Sequence, residues 1–235
     1  MHRIHTLVAH LTPPPISVQQ CTNHTTALHT NQTNLRQPLQ TQSPLVQQLD
    51  QALQTASSNS SAPVIPASPA LPAAITAAEW LALPPHTLVG SSASLLVTQQ
   101  HVDAFAAVTS DAQWIHSHLA PSLGSPFGRP IAHGFLVLSL LTPIIADVLP
   151  SVDGIAMTVN YGLERVRWMR PVCVDERVVG TVWLERTEQL KGGVVHNQFK
   201  VEVRVVGADG RVHEKDKPAM VAVWLARFFQ QPTDN

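Results

Sequence analysis

The segment Phe105–Leu141, FAAVTSDAQWIHSHLAPSLGSPFGRPIAHGFLVLSLL, decides how the rest of the chain is interpreted. It places an acid, Asp111, five residues before a histidine, His116, and it ends in an apolar run that begins near Gly134. We predict that the acid and the imidazole lie on a short turn that faces the amino end of a buried helix. Such an end presents unpaired N–H groups and a positive dipole. Together these groups could polarise a carbonyl and move protons beside it.

The apolar residues of Ile131–Leu149 predict a helix of about five turns. The helix would be apolar nearly all round, and a helix of that kind is normally enclosed by the rest of its domain. Pro143 should kink or interrupt it, because proline lacks the backbone N–H and clashes with the preceding turn. The run is too short to span a bilayer, so a buried helix is the better interpretation.

The period of the apolar residues changes after this helix. Alternating and β-branched residues predict strands at 157–162, 164–168, 177–188, 194–206 and 211–225. Before it, Ala93–Thr98 is typical of a strand, and Gln99–Val108 is typical of a helix that Thr98 caps. One apolar helix followed by an antiparallel meander predicts an α+β architecture in which the sheet wraps around the helix.

Residues 1–76 differ in composition from the rest of the chain. They contain no glycine and no aromatic residue, and their only charged residues are Arg3, Arg36 and Asp50. A segment of this kind cannot bury enough apolar surface to offset its chain entropy, so we expect a disordered low-complexity extension. An organelle-targeting presequence and an artefact of start-codon choice are the two alternatives. The folded domain would then occupy residues 77–229, followed by a short tail at 230–235.

The overall charge argues against some classes of partner. The chain has 15 Lys and Arg residues against 16 Asp and Glu residues, and no basic run. We therefore expect neither nucleic acid nor an anionic membrane as the main partner. The two cysteines, Cys21 and Cys173, lie far apart, which argues against a disulfide framework.

Three stretches resemble the MaoC-like acyl dehydratases, the family of the (R)-specific enoyl-CoA hydratases. They are FAAVTSDAQWIH at 105–116, PFGRPIAHGFLVLSLL at 126–141 and VNYGLERVRW at 159–168. Within that family the chain most resembles the nodulation protein N branch. The ordered pair of motifs, D-x-x-x-x-H followed by P-I-A-H-G, is more specific than either motif alone. The resemblance implies a hot-dog fold, an antiparallel sheet wrapped around one long helix.

The resemblance also implies a mechanism. Asp111 and His116 match the catalytic pair that holds a water molecule and moves protons, and Gly134 matches the backbone N–H that binds the thioester carbonyl. We expect reversible hydration of trans-2-enoyl thioesters, with Asp111 as base and His116 as acid, or with both roles shared through the water. Gln113 and Trp114 stand where much of the family has Asn-Pro, which puts the shape of the neighbouring pocket in doubt.

Other residues are candidates for contact with the substrate. We expect Gln113, Trp114, His133, Asn160 and Tyr161 to bind it, although His133 could instead hold its loop and Tyr161 could simply pack. Arg165, Arg167 and Arg170 could either meet the phosphates of CoA or form a solvated strand edge.

No cofactor is implied, because CoA or an acyl carrier is part of the substrate. No metal is expected either, since the histidines lack a ligand spacing typical of zinc. An exposed sheet edge on so small a domain predicts a homodimer. We expect a cytoplasmic protein, with import through the extension as the alternative.

Two other functions remain open on the same fold. A thioesterase would direct its water at the carbonyl carbon, and a binding module would hold an acyl thioester without changing it. The complete acid–histidine pair argues against the thioesterase.

Overall fold

Alternating side chains and two short apolar helices produce the architecture of residues 64–231, which the computed structural model describes. In chain order the elements are β1 (Ser68–Pro69), β2 (Ala74–Thr76), α1 (Ala77–Leu81), β3 (Thr87–Ser91), β4 (Leu95–Leu96), α2 (Gln99–Thr109), a 3-10 turn (Trp114–His116), α3 (Gly134–Ser139), α4 (Leu141–Ala146), β5 (Ser151–Asp153), β6 (Ile155–Trp168), β7 (Arg177–Leu190), β8 (Val194–Val205) and β9 (Met220–Gln230).

The main sheet has the order β1-β3-β7-β8-β9-β6, with β4 also paired to β7. Its pairings are antiparallel, whereas β2 and β5 form a separate parallel pair. Every second residue of β8 from Val195 to Val203 is buried, and the residues between them are half-buried. This period of two lets one face of the sheet cover the core, as expected for an antiparallel sheet. The predicted α+β hot-dog class is confirmed.

The helix predicted over Ile131–Leu149 begins only at Gly134, which is a correction, and it is divided into α3 and α4, as the interruption predicted from Pro143 implies. The break falls at Leu140, three residues before Pro143. Proline at 143 has no N–H for the Ser139 carbonyl, and its ring crowds that carbonyl, so the helix is interrupted there. The two helices still bury Leu136, Val137, Leu141, Ile144 and Ile145, whereas Phe135 is exposed. Ile144 packs so closely on Gly180 of β7 that a side chain at 180 would clash with it.

The structure includes residues that precede the boundary predicted at residue 77. β1 and β2 pair with β3 and β5, and Ile75 is buried among the core residues. The remainder of the predicted extension, residues 1–63, and residues 232–235 of the predicted tail lie outside the described residues. At the other end, β9 continues to Gln230.

The last strand begins later than predicted from 211–225. The turn predicted at Gly207–Gly210 is present, with the Gly210 N–H donating to the Gly207 carbonyl, but β9 starts only at Met220. Residues 211–218 are rich in charged residues and end in a proline, a composition that does not favour a strand. Within residues 64–231, none of the helices has the length and apolar character needed to cross a membrane.

Candidate active site

The turn that carries His116 is fixed by the preceding helix. α2 begins after Thr98, whose hydroxyl accepts a hydrogen bond from the His101 N–H, as predicted. The amide of Gln99 in the first turn then donates to the His116 carbonyl at 2.8 Å. A hydrogen bond across 17 residues therefore holds the 3-10 turn against the start of α2.

The imidazole of His116 is buried and has a defined tautomer. Its Nδ1 lies 2.7 Å from the Ile131 carbonyl oxygen, and a carbonyl can only accept, so Nδ1 carries the proton. Nε2 is therefore left with its lone pair. Burial lowers the pKa of His116 below its ordinary value, and the nearby His133 lowers it further. The Ile131 carbonyl and Asp111 act in the opposite direction. The net lowering makes His116 a neutral proton acceptor at neutral pH.

Asp111 lies next to this imidazole but is exposed. It follows Ser110, which ends α2 in a left-handed conformation with φ of 61°. One ligand-type atom each from Asp111, His116 and His133 lies within 4.8 Å of the others. The predicted pair of Asp111 and His116 is thus brought together, with His133 as a third member.

His133 contacts both members of the predicted pair. Its ring stacks on that of His116 with centroids 3.7 Å apart and an angle of 26° between the planes. Its Nε2 lies 2.9 Å from the backbone carbonyl oxygen of Asp111. The side chain is buried, and Phe105 of α2 packs on it with centroids 5.1 Å apart.

The same three residues are close enough to be considered as metal ligands. Their geometry fits proton transfer better, because nearly parallel imidazoles direct their lone pairs side by side and not toward one point. Each ring also uses one nitrogen on a backbone carbonyl, at Ile131 and at Asp111. A carboxylate and a neutral imidazole with a free lone pair can hold a water molecule and exchange protons with it.

Gly134 is the first residue of α3 and directly follows His133. The first N–H groups of a helix have no carbonyl partner within it, so the Gly134 N–H is available to an acceptor. A Cβ there would lie 3.1 Å from Cε2 and Nε1 of the Trp168 indole, closer than ordinary van der Waals contact, so a larger residue would require the indole to shift. The predicted donor therefore stands at the start of a helix, beside the acid–histidine cluster.

Trp168 is a residue of the site that the sequence analysis missed. Trp168 is 44% exposed, and its Nε1 donates to the Gly134 carbonyl at 2.8 Å. Its position at the end of the matching stretch 159–168 was the only available signal. Together with Gly134 it lines an open cavity of about 270 Å³, whose other lining residues are Ile131, Ala132, Val137, Met169, Arg170, Pro171, Val172 and Ala219.

The five residues predicted to contact the substrate differ in their burial and in their position relative to the Asp111–His116 pair. Gln113 and Trp114 are exposed at the turn beside Asp111, and His133 is buried in the cluster. Asn160 accepts a hydrogen bond from Trp224 Nε1 at 2.8 Å and lines a second cavity of about 270 Å³ with Phe135 and Ser139 of α3.

Tyr161 is not brought to this side of the sheet. The guanidinium carbon of Arg227 lies 3.6 Å from the centroid of the Tyr161 ring, and the Tyr161 and His196 rings meet edge to face. His196 is a half-buried residue of β8 between the buried residues Val195 and Asn197, so Tyr161 packs on the face of the sheet that points away from the core. Its predicted contact with the substrate is not supported by the fold of one chain.

Comparisons with known proteins agree with the motifs. Residues 82–206 match the model of the MaoC like domain. The chain is 39% identical over 140 residues to 3-hydroxyacyl-thioester dehydratase Z of Mycobacterium tuberculosis. The matched region covers 60% of this chain and 87% of that protein. It is also 35% identical over 148 residues to nodulation protein N of Rhizobium leguminosarum bv. viciae. That match covers 63% of this chain and 88% of the relative.

A solved structure shares the fold. The monoamine oxidase regulatory protein from Archaeoglobus superposes with a TM-score of 0.52 at 21% identity, covering 64% of this chain and 93% of that one. The resemblance predicted from the three motifs is therefore confirmed, and the chain belongs to the MaoC-like domain family.

Proposed function

We propose that this protein reversibly hydrates trans-2-enoyl thioesters to (R)-3-hydroxyacyl thioesters. The observation that carries the proposal is the cluster of Asp111, His116 and His133, within 4.8 Å, directly before the amide of Gly134. The name of the Mycobacterium tuberculosis relative, a 3-hydroxyacyl-thioester dehydratase, supports the same chemistry.

The thioester carbonyl would accept a hydrogen bond from the Gly134 N–H. When water adds to C3 of the enoyl group, negative charge develops on the carbonyl oxygen as an enolate. That charge would be stabilised by the N–H and by the partial positive charge at the start of α3. α3 has six residues and α4 continues beyond the break, so the local N–H groups contribute more than a long dipole would.

The neutral state of His116 supports a pathway that differs from the one expected from the sequence, because His116 and not Asp111 acts as the base. Its free Nε2 can take a proton from water while the water oxygen bonds to C3, and Asp111 would orient the water through its second hydrogen. The imidazolium then returns that proton to C2 on the same face, which gives syn addition. In this pathway the protein ends in its starting protonation state, and no redox or metal partner is required.

Conversion of crotonyl-CoA tests the proposal. Wild-type protein should remove the ultraviolet absorbance of the enoyl thioester, and the product should be the (R)-3-hydroxy compound by chiral chromatography. Incubation with saturated butyryl-CoA is the control, because release of free thiol would identify a thioesterase. Binding of crotonyl-CoA with no conversion would identify a binding module.

A homodimer belongs to the same proposal. β6 lies at the end of the main sheet and pairs with β9 along one side. It exposes a row of apolar residues, namely Met157, Val159, Tyr161 and Leu163. A long apolar edge strand normally pairs with another chain. We expect that chain to be a second copy of this protein, because most soluble oligomers are symmetric homo-oligomers.

A further inference from the structure

The loop that carries Asp111 has few contacts with the rest of the domain. Every residue of 107–114 is exposed. The hydrogen bond that the Asp111 N–H makes with Thr109 is local and long, at 3.4 Å. A catalytic carboxylate must be held within fractions of an ångström of its reactive position, so an exposed loop of this kind needs an anchor.

The anchor in this structure is the side chain of His133. The Asp111 carbonyl can only accept, so His133 Nε2 must carry the proton and donate across the 2.9 Å separation. His133 is 2% exposed, and its ring packs against the rings of both Phe105 and His116. A buried ring packed against two others can fix the direction of its N–H bond.

His133 is also the residue that precedes Gly134. Its ring is bonded to the backbone of Asp111, and its own carbonyl accepts from the Val137 N–H in the first turn of α3. His133 therefore connects the backbone of Asp111 to the Gly134 amide, which we propose binds the thioester. Its remaining nitrogen, Nδ1, is buried without a hydrogen-bond partner among the described residues.

We propose that His133 is a positioning residue, which ties the Asp111 backbone to the start of α3 so that the carboxylate and the Gly134 amide keep a fixed separation. This proposal rests on the proposed hydration and replaces the expectation that His133 contacts the substrate. His133 moves no proton in this scheme. It acts through the hydrogen bond from Nε2 and through its packing on His116.

Two substitutions of His133 distinguish the contribution of its N–H donor from the contribution of its aromatic ring. In His133→Phe an aromatic ring remains packed against Phe105 and His116 while the donor to the Asp111 carbonyl is lost. In His133→Gln a side-chain amide of similar reach restores a donor without the ring. The matched control is His118→Gln, at an exposed histidine of the following segment.

Kinetics with crotonyl-CoA give the first measurement. We expect His133→Phe to lower kcat by about 10- to 100-fold through misplacement of the carboxylate, with KM changed by less than about threefold. His133→Gln should recover kcat to within about threefold of the wild-type value, and His118→Gln should match the wild type. Equal activity of His133→Phe and wild type would overturn the proposal, and so would a loss in His133→Gln as large as that in His133→Phe.

Hydrogen–deuterium exchange gives a second measurement that does not depend on turnover. The amides of 109–113 should exchange faster in His133→Phe than in wild type and at the wild-type rate in His133→Gln, while the amides of β8 stay protected in all three. Unchanged exchange at 109–113 in His133→Phe would overturn the anchoring role. If wild type fails to hydrate any enoyl thioester, the proposed function fails, and the exchange result still decides whether His133 holds the loop.

Discussion

Trp168 donates a hydrogen bond from its indole Nε1 to the Gly134 carbonyl at 2.8 Å, and the same ring covers the face of Gly134 from which a side chain would project. Two elements distant in the chain, the end of β6 and the start of α3, therefore meet at the residue whose amide we assign to the thioester carbonyl. The indole holds the Gly134 carbonyl, which belongs to the peptide group that follows the one carrying the assigned N–H.

Gly134→Ala should reduce activity because the added Cβ would lie 3.1 Å from the Trp168 ring and displace either the ring or the peptide. We expect kcat/KM for crotonyl-CoA to fall by about 10- to 100-fold, somewhat less than the loss of a complete oxyanion donor. Gly162→Ala is the matched control, since a Cβ there would be in ordinary contact with Leu225 at 3.8 Å. An equal effect of the two substitutions would contradict this account of Gly134.

Asp111→Asn should remove the carboxylate that orients the water. We expect a loss of about 100-fold in kcat, because a water molecule that is no longer oriented reaches the reactive geometry far less often. Because Asp111 is exposed, its substitution should change the free energy of unfolding by less than about 0.5 kcal/mol. Asp216→Asn, at an exposed acid of the loop before β9, should leave both quantities near the wild-type values, as measured by turnover and by chemical denaturation.

The pH dependence should follow the protonation of His116. Burial places the pKa of His116 below its ordinary 6.5, and its neutral form is the one with a free Nε2. We therefore expect kcat/KM to be constant at neutral pH and to fall on acidification through this lowered pKa. A fall in activity from neutral to mildly alkaline pH would instead indicate that a protonated His116 begins the reaction.

The Asp111 carboxylate raises the pKa of His116, so Asp111→Asn should lower that pKa further. Titration of the His116 ring by NMR would measure this shift without any need for activity. An unchanged or raised pKa in Asp111→Asn would show that the carboxylate and the imidazole are not in electrostatic contact.

The core contains a polar link that should contribute to stability. Trp80 Nε1 and Thr187 Oγ1 both donate to the Asn197 Oδ1 at 2.8 Å, and Trp80 and Asn197 are fully buried. Asn197→Leu would leave the indole N–H unpaired in the core, so we expect the free energy of unfolding to fall by about 1–3 kcal/mol. Thr187→Val leaves the bond between Trp80 and Asn197 intact and should have the smaller effect in denaturant titrations.

The edge strand β6 predicts the oligomeric state. In sedimentation equilibrium, wild type should have twice the chain mass of 25.5 kDa, and Val159→Lys should shift the population toward the single chain. A lysine on an edge strand disfavours pairing because its charge would be desolvated. Leu88→Lys, at an exposed leucine of β3 on the other side of the sheet, should remain as associated as wild type.

The sequence alone was sufficient for the features that depend on local pattern. Alternation of apolar residues located β7 and β8, and Thr98 marked the start of α2. The strands predicted at 157–162 and 164–168 form the single strand β6. The spacing of Asp111, His116 and Gly134 indicated a common site, because short motifs fix residues on a turn and at a helix start. Pro143 predicted an interruption of the apolar helix, although the break falls at Leu140.

Only the tertiary structure decided what depends on contacts between distant elements. The stacking of His133 on His116, the contact of Trp168 with Gly134 and the packing of Tyr161 against Arg227 follow from how the strands and helices pack, and no local pattern encodes them. The lowered pKa of His116 has the same origin, since burial is a property of the folded chain. Residue types determined which chemistry is available, and packing determined which of these groups meet.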